Sequence, residues 1–89
     1  MLILFVLQRN VELDKGPIHD ATLGFVIAAM NEIEARKIAA SYRRRPIRQL
    51  DDGDEAPDVW YASTTSCARI GVAADDITPG VILRDYRVG

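Results

Sequence analysis

The ten residues "MLILFVLQRN", positions 1–10, decide the fold class. Leu2 to Leu7 form an unbroken apolar run that stops at Gln8, Arg9 and Asn10. A run this short is the length of a strand and too short for a buried helix, so it predicts a strand. The pleat sends Leu2, Leu4 and Val6 to one side and Ile3, Phe5 and Leu7 to the other. Both sides are apolar. A strand of that kind belongs in the middle of a sheet, covered on two faces.

Beyond it, "VELDKGPIHD" (11–20) carries Gly16-Pro17 among charges and predicts a loop. "ATLGFVIAA" (21–29) predicts a second strand, with Leu23, Phe25 and Ile27 directed to one face. Asn31 follows, and Glu34 stands three residues later, the spacing of a capping box. Ala35, Ile38, Ala39 and Tyr42 then recur at helical spacing and make one apolar stripe. Glu32 and Arg36 are four apart in the favourable order for an exposed pair. Pro46 stops the helix from continuing.

Further on, "TSCARIGVA" (65–73) reads as a strand that buries Ala68, Ile70 and Val72 and turns Cys67, Arg69 and Gly71 outward. Pro79-Gly80 suits the centre of a type II turn, and "VILRDYRV" closes the chain as a last strand. The order is β-β-α-β-β. It predicts an α+β fold: a small antiparallel or mixed sheet with one helix packed on one face, residues 1–89 forming a single domain. One helix covers one face only. The second apolar face of the first strand therefore calls for a cover: the loop bearing Trp60 and Tyr61, a second copy in a homodimer, or another partner.

Composition narrows the function classes. The chain has 48% hydrophobic and 27% charged residues and a net charge of −2, a globular profile without the basic excess of a general nucleic-acid binder. A single cysteine, Cys67, makes no internal disulfide. The apolar opening lacks a basic leader and a cleavage site, and no run approaches the length of a membrane span, so a cytoplasmic protein without membrane contact is expected.

The most unusual stretch is "YRRRPIRQLDDGDEAPDVW" (42–60). Arg43, Arg44, Arg45 and Arg48 are followed by Asp51, Asp52, Asp54, Glu55 and Asp58. Two readings compete. The arginines can decorate a helix C-terminus and pair with the acids across a short turn. Alternatively one run faces a partner, and the acids then suit a basic protein surface, which they would engage as a phosphate mimic. Nucleic acid gripped by Arg43–Arg48 is the weaker version, because the neighbouring acids repel phosphates. Trp60 and Tyr61 are either core fillers or interface anchors. "DDGDE" lacks the ligand spacing of a calcium loop, and no metal or cofactor is expected. His19 and Cys67 are the lone members of their types, and nothing in their spacing makes a nucleophile–base pair, so no enzyme is expected.

Three segments, "LILFVLQRN", "FVIAAMNEIEARKIAA" and "IGVAADDITPGVILRDY", together resemble a group of small phage and prophage proteins. In that group a short first strand, an "EEAR" helix and a "GVIL"-like ending recur in this order. Ile33 stands where the group carries an acid, and residues 43–60 have no counterpart in it. The resemblance implies a setting: short, acidic, non-enzymatic proteins that bind a host protein complex, among them inhibitors of defence systems such as CRISPR effectors. The leading expectation is thus a binding protein that occludes a host complex through Asp51–Asp58, with Trp60 and Tyr61 as anchors. The alternatives are a structural homo-oligomer paired through the open sheet face and a nucleic-acid binder using Arg43–Arg48.

Overall fold

In the computed structural model, which describes residues 1–14, 21–42 and 57–87, the opening run becomes β1 (Ile3–Arg9). Antiparallel neighbours flank it on both sides: β2 (Ala21–Ala29) on one, β3 (Thr65–Val72) on the other. A last strand, β4 (Gly80–Arg87), pairs antiparallel with β2, giving the order β3-β1-β2-β4. The two-sided apolar strand is indeed central. The sheet is antiparallel throughout, and the fold is α+β in the expected β-β-α-β-β order.

Two short elements accompany it. Helix α1 (Val11–Asp14) follows β1, inside the stretch expected to be a loop, and a 3₁₀ turn (Pro57–Trp60) precedes β3. The turn is secured when the Thr65 hydroxyl donates to the Val59 carbonyl at 2.7 Å. At the far end of β1, the Arg9 side chain is fully buried and forms a two-pronged ion pair with Asp14, Nε to Oδ2 at 2.9 Å and Nη2 to Oδ1 at 3.0 Å. Its Nη1 donates to the Thr22 carbonyl at 3.1 Å, so one guanidinium ties α1, β1 and β2 together. Such a planar fork matches a carboxylate at both prongs, which a lysine does not reproduce.

Helix α2 (Glu32–Ser41) begins as its sequence requires. The Glu34 amide donates to Asn31 Oδ1 at 2.8 Å, and Glu34 Oε1 accepts from the Met30 amide at 2.6 Å. The returning carboxylate thus caps the residue before Asn31. The stripe then packs on the sheet: Ala35 and Ala39 are buried, Ile38 is half-buried, and Tyr42 meets the edge of Phe25 at 5.4 Å between ring centres. Alanines at the contact let the helix lie close, and the bulk comes from below. Phe5, Leu7, Phe25 and Ile27 supply it, with Trp60 closing one side.

Register places these side chains. Leu7 opposes Phe25, Phe5 opposes Ile27 and Ile3 opposes Ala29, all on the helix-bearing face. Gly24 lies where the strands run so close that a Cβ would stand 3.0 Å from the Leu7 carbonyl oxygen. A side chain there would have to push the backbone aside.

Two expectations need correction. In β3 the reading from alternation does not hold. Cys67 opposes Leu7 and packs against the core, while Ala68, Ile70 and Val72 are exposed. The cause is partly a bulge: Leu4 opposes Gly71 but Phe5 opposes Arg69, so Ile70 is an extra residue that breaks strict alternation. The second concerns Gly80. Its φ of 150° is far from the roughly +80° of a type II turn. It is a glycine-only conformation that feeds directly into β4.

Candidate interaction site

Of the residues expected to bind a partner, Asp51, Asp52, Asp54 and Glu55 lie outside the described residues, as do Arg43, Arg44, Arg45 and Arg48. Asp58 belongs to the 3₁₀ turn, with its side chain outside the description. Trp60 is 4% exposed and meets Phe25 edge-on at 4.9 Å, so its place is in the core and not at an anchoring surface. Tyr61 is the opposite case at 54% exposure. Arg36 holds this corner: its Nη1 donates to the carbonyls of Trp60 at 3.0 Å and Ala62 at 3.3 Å, while its Nε pairs with Glu32 at 2.9 Å. The pair expected to be a solvent-exposed helix decoration is therefore half of a clamp between α2 and the entry to β3.

Phe25 touches both Tyr42 and Trp60. Tyr42 and Trp60, on either side of the charged segment in sequence, are therefore neighbours on the helix side of the sheet.

The other side of the sheet is the larger surface. Leu4 opposes Ala28 and Gly71, Val6 opposes Val26 and Ala68, and Val26 opposes Leu83. Cross-strand partners share a face, so Leu4, Val6, Val26, Ala68 and Leu83 form one apolar field across all four strands, with Ala28 fully buried beneath it. Leu83 is 65% exposed, and Leu4, Val6 and Val26 are only partly covered. Gln8, Ser66 and Asp85 border the field at one end. Trp60, one of the candidate covers, packs on the opposite side. Sequence reasoning had anticipated this face from the doubly apolar first strand, although not its extent into β4.

A second feature was missed. Arg84 of β4 opposes Phe25, so its side chain is on the helix face. Its guanidinium carbon lies over the Tyr42 ring at 5.0 Å and over the Tyr86 ring at 4.5 Å. Its Nη1 is buried without a hydrogen-bond partner.

The remaining chemistry is modest. An open groove of about 510 Å³ runs beside Gln8, Asn10, Glu12, Ser63, Thr64 and Ser66. Arg9 also lines it, but its charge is already committed to Asp14. Burial, and then the Glu32 carboxylate, push the Cys67 thiol above its ordinary value, with Arg36 pulling the other way. A thiol so held stays protonated at neutral pH and is a poor nucleophile. His19, its conceivable base, lies outside the described residues. Among the described residues no cluster of three or more histidine, cysteine or acidic side chains could hold a metal ion, and no helix is long and apolar enough to cross a membrane. Comparison with protein-family models, curated proteins and solved structures gives no match to the chain.

Proposed function

We propose that this chain is a non-enzymatic binding protein that acts through the helix-free face of its sheet, and that a second copy of the chain covers that face. The observation supporting it is the apolar field of Leu4, Val6, Val26, Ala68 and Leu83, with Leu83 65% exposed at its margin. A basic or acidic partner would find little charge to match there; another such field matches it by symmetry. Two sheets stacked face to face at about 10 Å bury both fields as the halves of one core.

Magnitude sets the strength. Four strands about 4.8 Å apart and about eight residues long project to roughly 500 Å². A standard interface buries about 800 Å² per partner. The dimer is thus expected to be moderate in affinity and to dissociate on dilution. Light scattering over a wide concentration range tests this directly. A mass that rises from monomer to dimer, and a Leu83→Glu variant that remains monomeric with an unchanged far-UV circular dichroism spectrum, are the expected results. A monomer at every concentration overturns the self-pairing.

The phage-type reading rests on the charged segment of the sequence. Tyr42 and Trp60, which stand on either side of the charged segment in sequence, both meet Phe25 on the helix side of the sheet, and occlusion of a basic host surface by Asp51, Asp52, Asp54 and Glu55 would be a second activity beside the self-pairing. Capture of a host complex that is released by salt, and abolished when those acids are reversed to lysine, is its expected outcome. Capture unaffected by the reversal would rule out the acidic-mimic mechanism.

A further inference from the structure

Register sorts the helix-free face into rows that run across all four strands. In strand order one row is Ala68, Val6, Val26 and Leu83, and the next is Ser66, Gln8, Gly24 and Asp85. The apolar row grows from one edge of the sheet to the other: alanine, two valines, leucine. Reversed, it complements itself, since the smallest side chain then stands against the largest and valine against valine. The polar row behaves alike. Its reversal sets Ser66 against Asp85, and the long Gln8 against Gly24, which has no side chain to obstruct it.

In aligned packing of two sheets, a two-fold axis runs either along the strands or across them. An axis across the strands lays each strand over its own copy. Leu83 then meets Leu83 at one edge and Ala68 meets Ala68 at the other, so the layers are forced apart on one side and left with a gap on the other. The same axis lays Ser66, Gln8 and Asp85 over the row of Leu4, which offers polar side chains no partners. An axis along the strands avoids both faults, because it reverses every row and keeps polar on polar.

We propose that two copies stack about a two-fold parallel to their strands, β1 over the partner's β2 and β3 over the partner's β4. The arrangement rests on the self-pairing proposed above and specifies which residues it brings together. Val6 meets the partner's Val26 beside the axis, and Ala68 meets the partner's Leu83, each contact occurring twice. At the polar margin the Ser66 hydroxyl donates to the partner's Asp85. In the single chain that hydroxyl makes a long bond of 3.4 Å to the Gln8 carbonyl, and a carboxylate accepts several bonds at once. The row beyond adds Leu4, its neighbour Ala28 being fully buried.

Single cysteines and a short bis-maleimide linker test the axis. In chains freed of the native thiol by Cys67→Ala, the cysteine is placed by Ala68→Cys or by Leu83→Cys, both at exposed positions. Strand and layer spacings put Ala68 about 10 Å from the partner's Leu83, and either residue about 17 Å from its own copy. A mixture of the two variants, at a concentration where light scattering of that mixture shows a dimer, is expected to cross-link position 68 to position 83. Each variant alone should cross-link no more than Lys37→Cys, an exposed control on α2 at the opposite face. Unchanged far-UV circular dichroism checks each fold. Cross-links within one variant alone overturn the strand-parallel axis and leave self-pairing in place. A dimer whose mixture cross-links no more than the control overturns it too, since the copies then meet elsewhere. A monomer at every concentration removes the self-pairing, and the axis with it.

Discussion

Arg9 is the one position where the alternation of the first strand carries a charge inward. Ile3, Phe5 and Leu7 face the helix, and the next residue in that series is an arginine. Its side chain is fully buried and that of Asp14 is 6% exposed, so neither charge has water to fall back on. Removing one partner of a buried pair leaves the other charge short of compensation, which typically costs about 3–5 kcal/mol. In a chain this small, that is a large part of the total stability. Asp14→Ala is therefore expected to unfold at far lower urea than the parent, whereas the double variant Arg9→Met, Asp14→Leu should recover much of the loss. Urea midpoints for the three proteins check it; equal losses in the single and double variants would show that the pair's value lies in its remaining contacts. The inward arginine was visible in the sequence by counting 3, 5, 7, 9. Its carboxylate was not, because Asp14 reaches it through the short helix α1, which the charged composition of 11–20 had disguised as a loop.

Among the elements, helix α2 was the most legible, since its cap, its stripe and its i, i+4 pair are all local signals. Strands β3 and β4 were the least, and bulges explain why. Alternation assumes that successive residues change face, and an extra residue resets the count. Ile70 does this in β3 and Ile82 does it in β4, where Ile27 opposes Val81 but Val26 opposes Leu83. That shift puts Val81 and Arg84 on the helix face together, so the tyrosine-flanked guanidinium could not have been read from spacing. Nor could the clamp at Arg36, which depends on carbonyls of residues 60 and 62 far along the chain. The clamp separates two effects that sequence alone merges. Glu32 is half exposed, and a surface i, i+4 pair is worth about 0.3–0.5 kcal/mol. The two buried-side carbonyl bonds of a charged donor are worth more, about 1.5–3 kcal/mol each at most. Glu32→Gln should thus leave the melting temperature nearly unchanged, and Arg36→Ala should lower it by several degrees while speeding exchange of the Ala62 and Thr65 amides. Comparable small effects in both variants would mean that the corner is held by Trp60 packing alone.

At the level of the whole molecule, the sheet is asymmetric in what covers it. One face carries α2, the 3₁₀ turn and an aromatic core of Phe5, Phe25 and Trp60. The other carries an apolar field whose centre, β1, was designed by its sequence to be buried on both sides. The doubly apolar run at positions 2–7 implied that asymmetry from the start, because a single helix cannot serve two faces. What it could not supply was the outline of the field, which depends on strand order and on the bulges at Ile70 and Ile82. Self-pairing makes a prediction that needs no knowledge of the interface geometry. Anything that binds the native state and not the unfolded chain raises the melting temperature with its concentration, and for a dimer that ligand is the protein itself. The melting temperature of the parent chain should therefore climb as protein concentration rises. In Leu83→Glu it should be independent of concentration, since the carboxylate is tolerated at a site 65% exposed in the monomer but is forced out of water at the interface. Val26→Lys, placed across from Leu83 on the same face, should behave alike. A parent melting temperature that does not move with concentration would mean that the field meets water as it stands, and that its apolar residues serve the stability of the sheet alone.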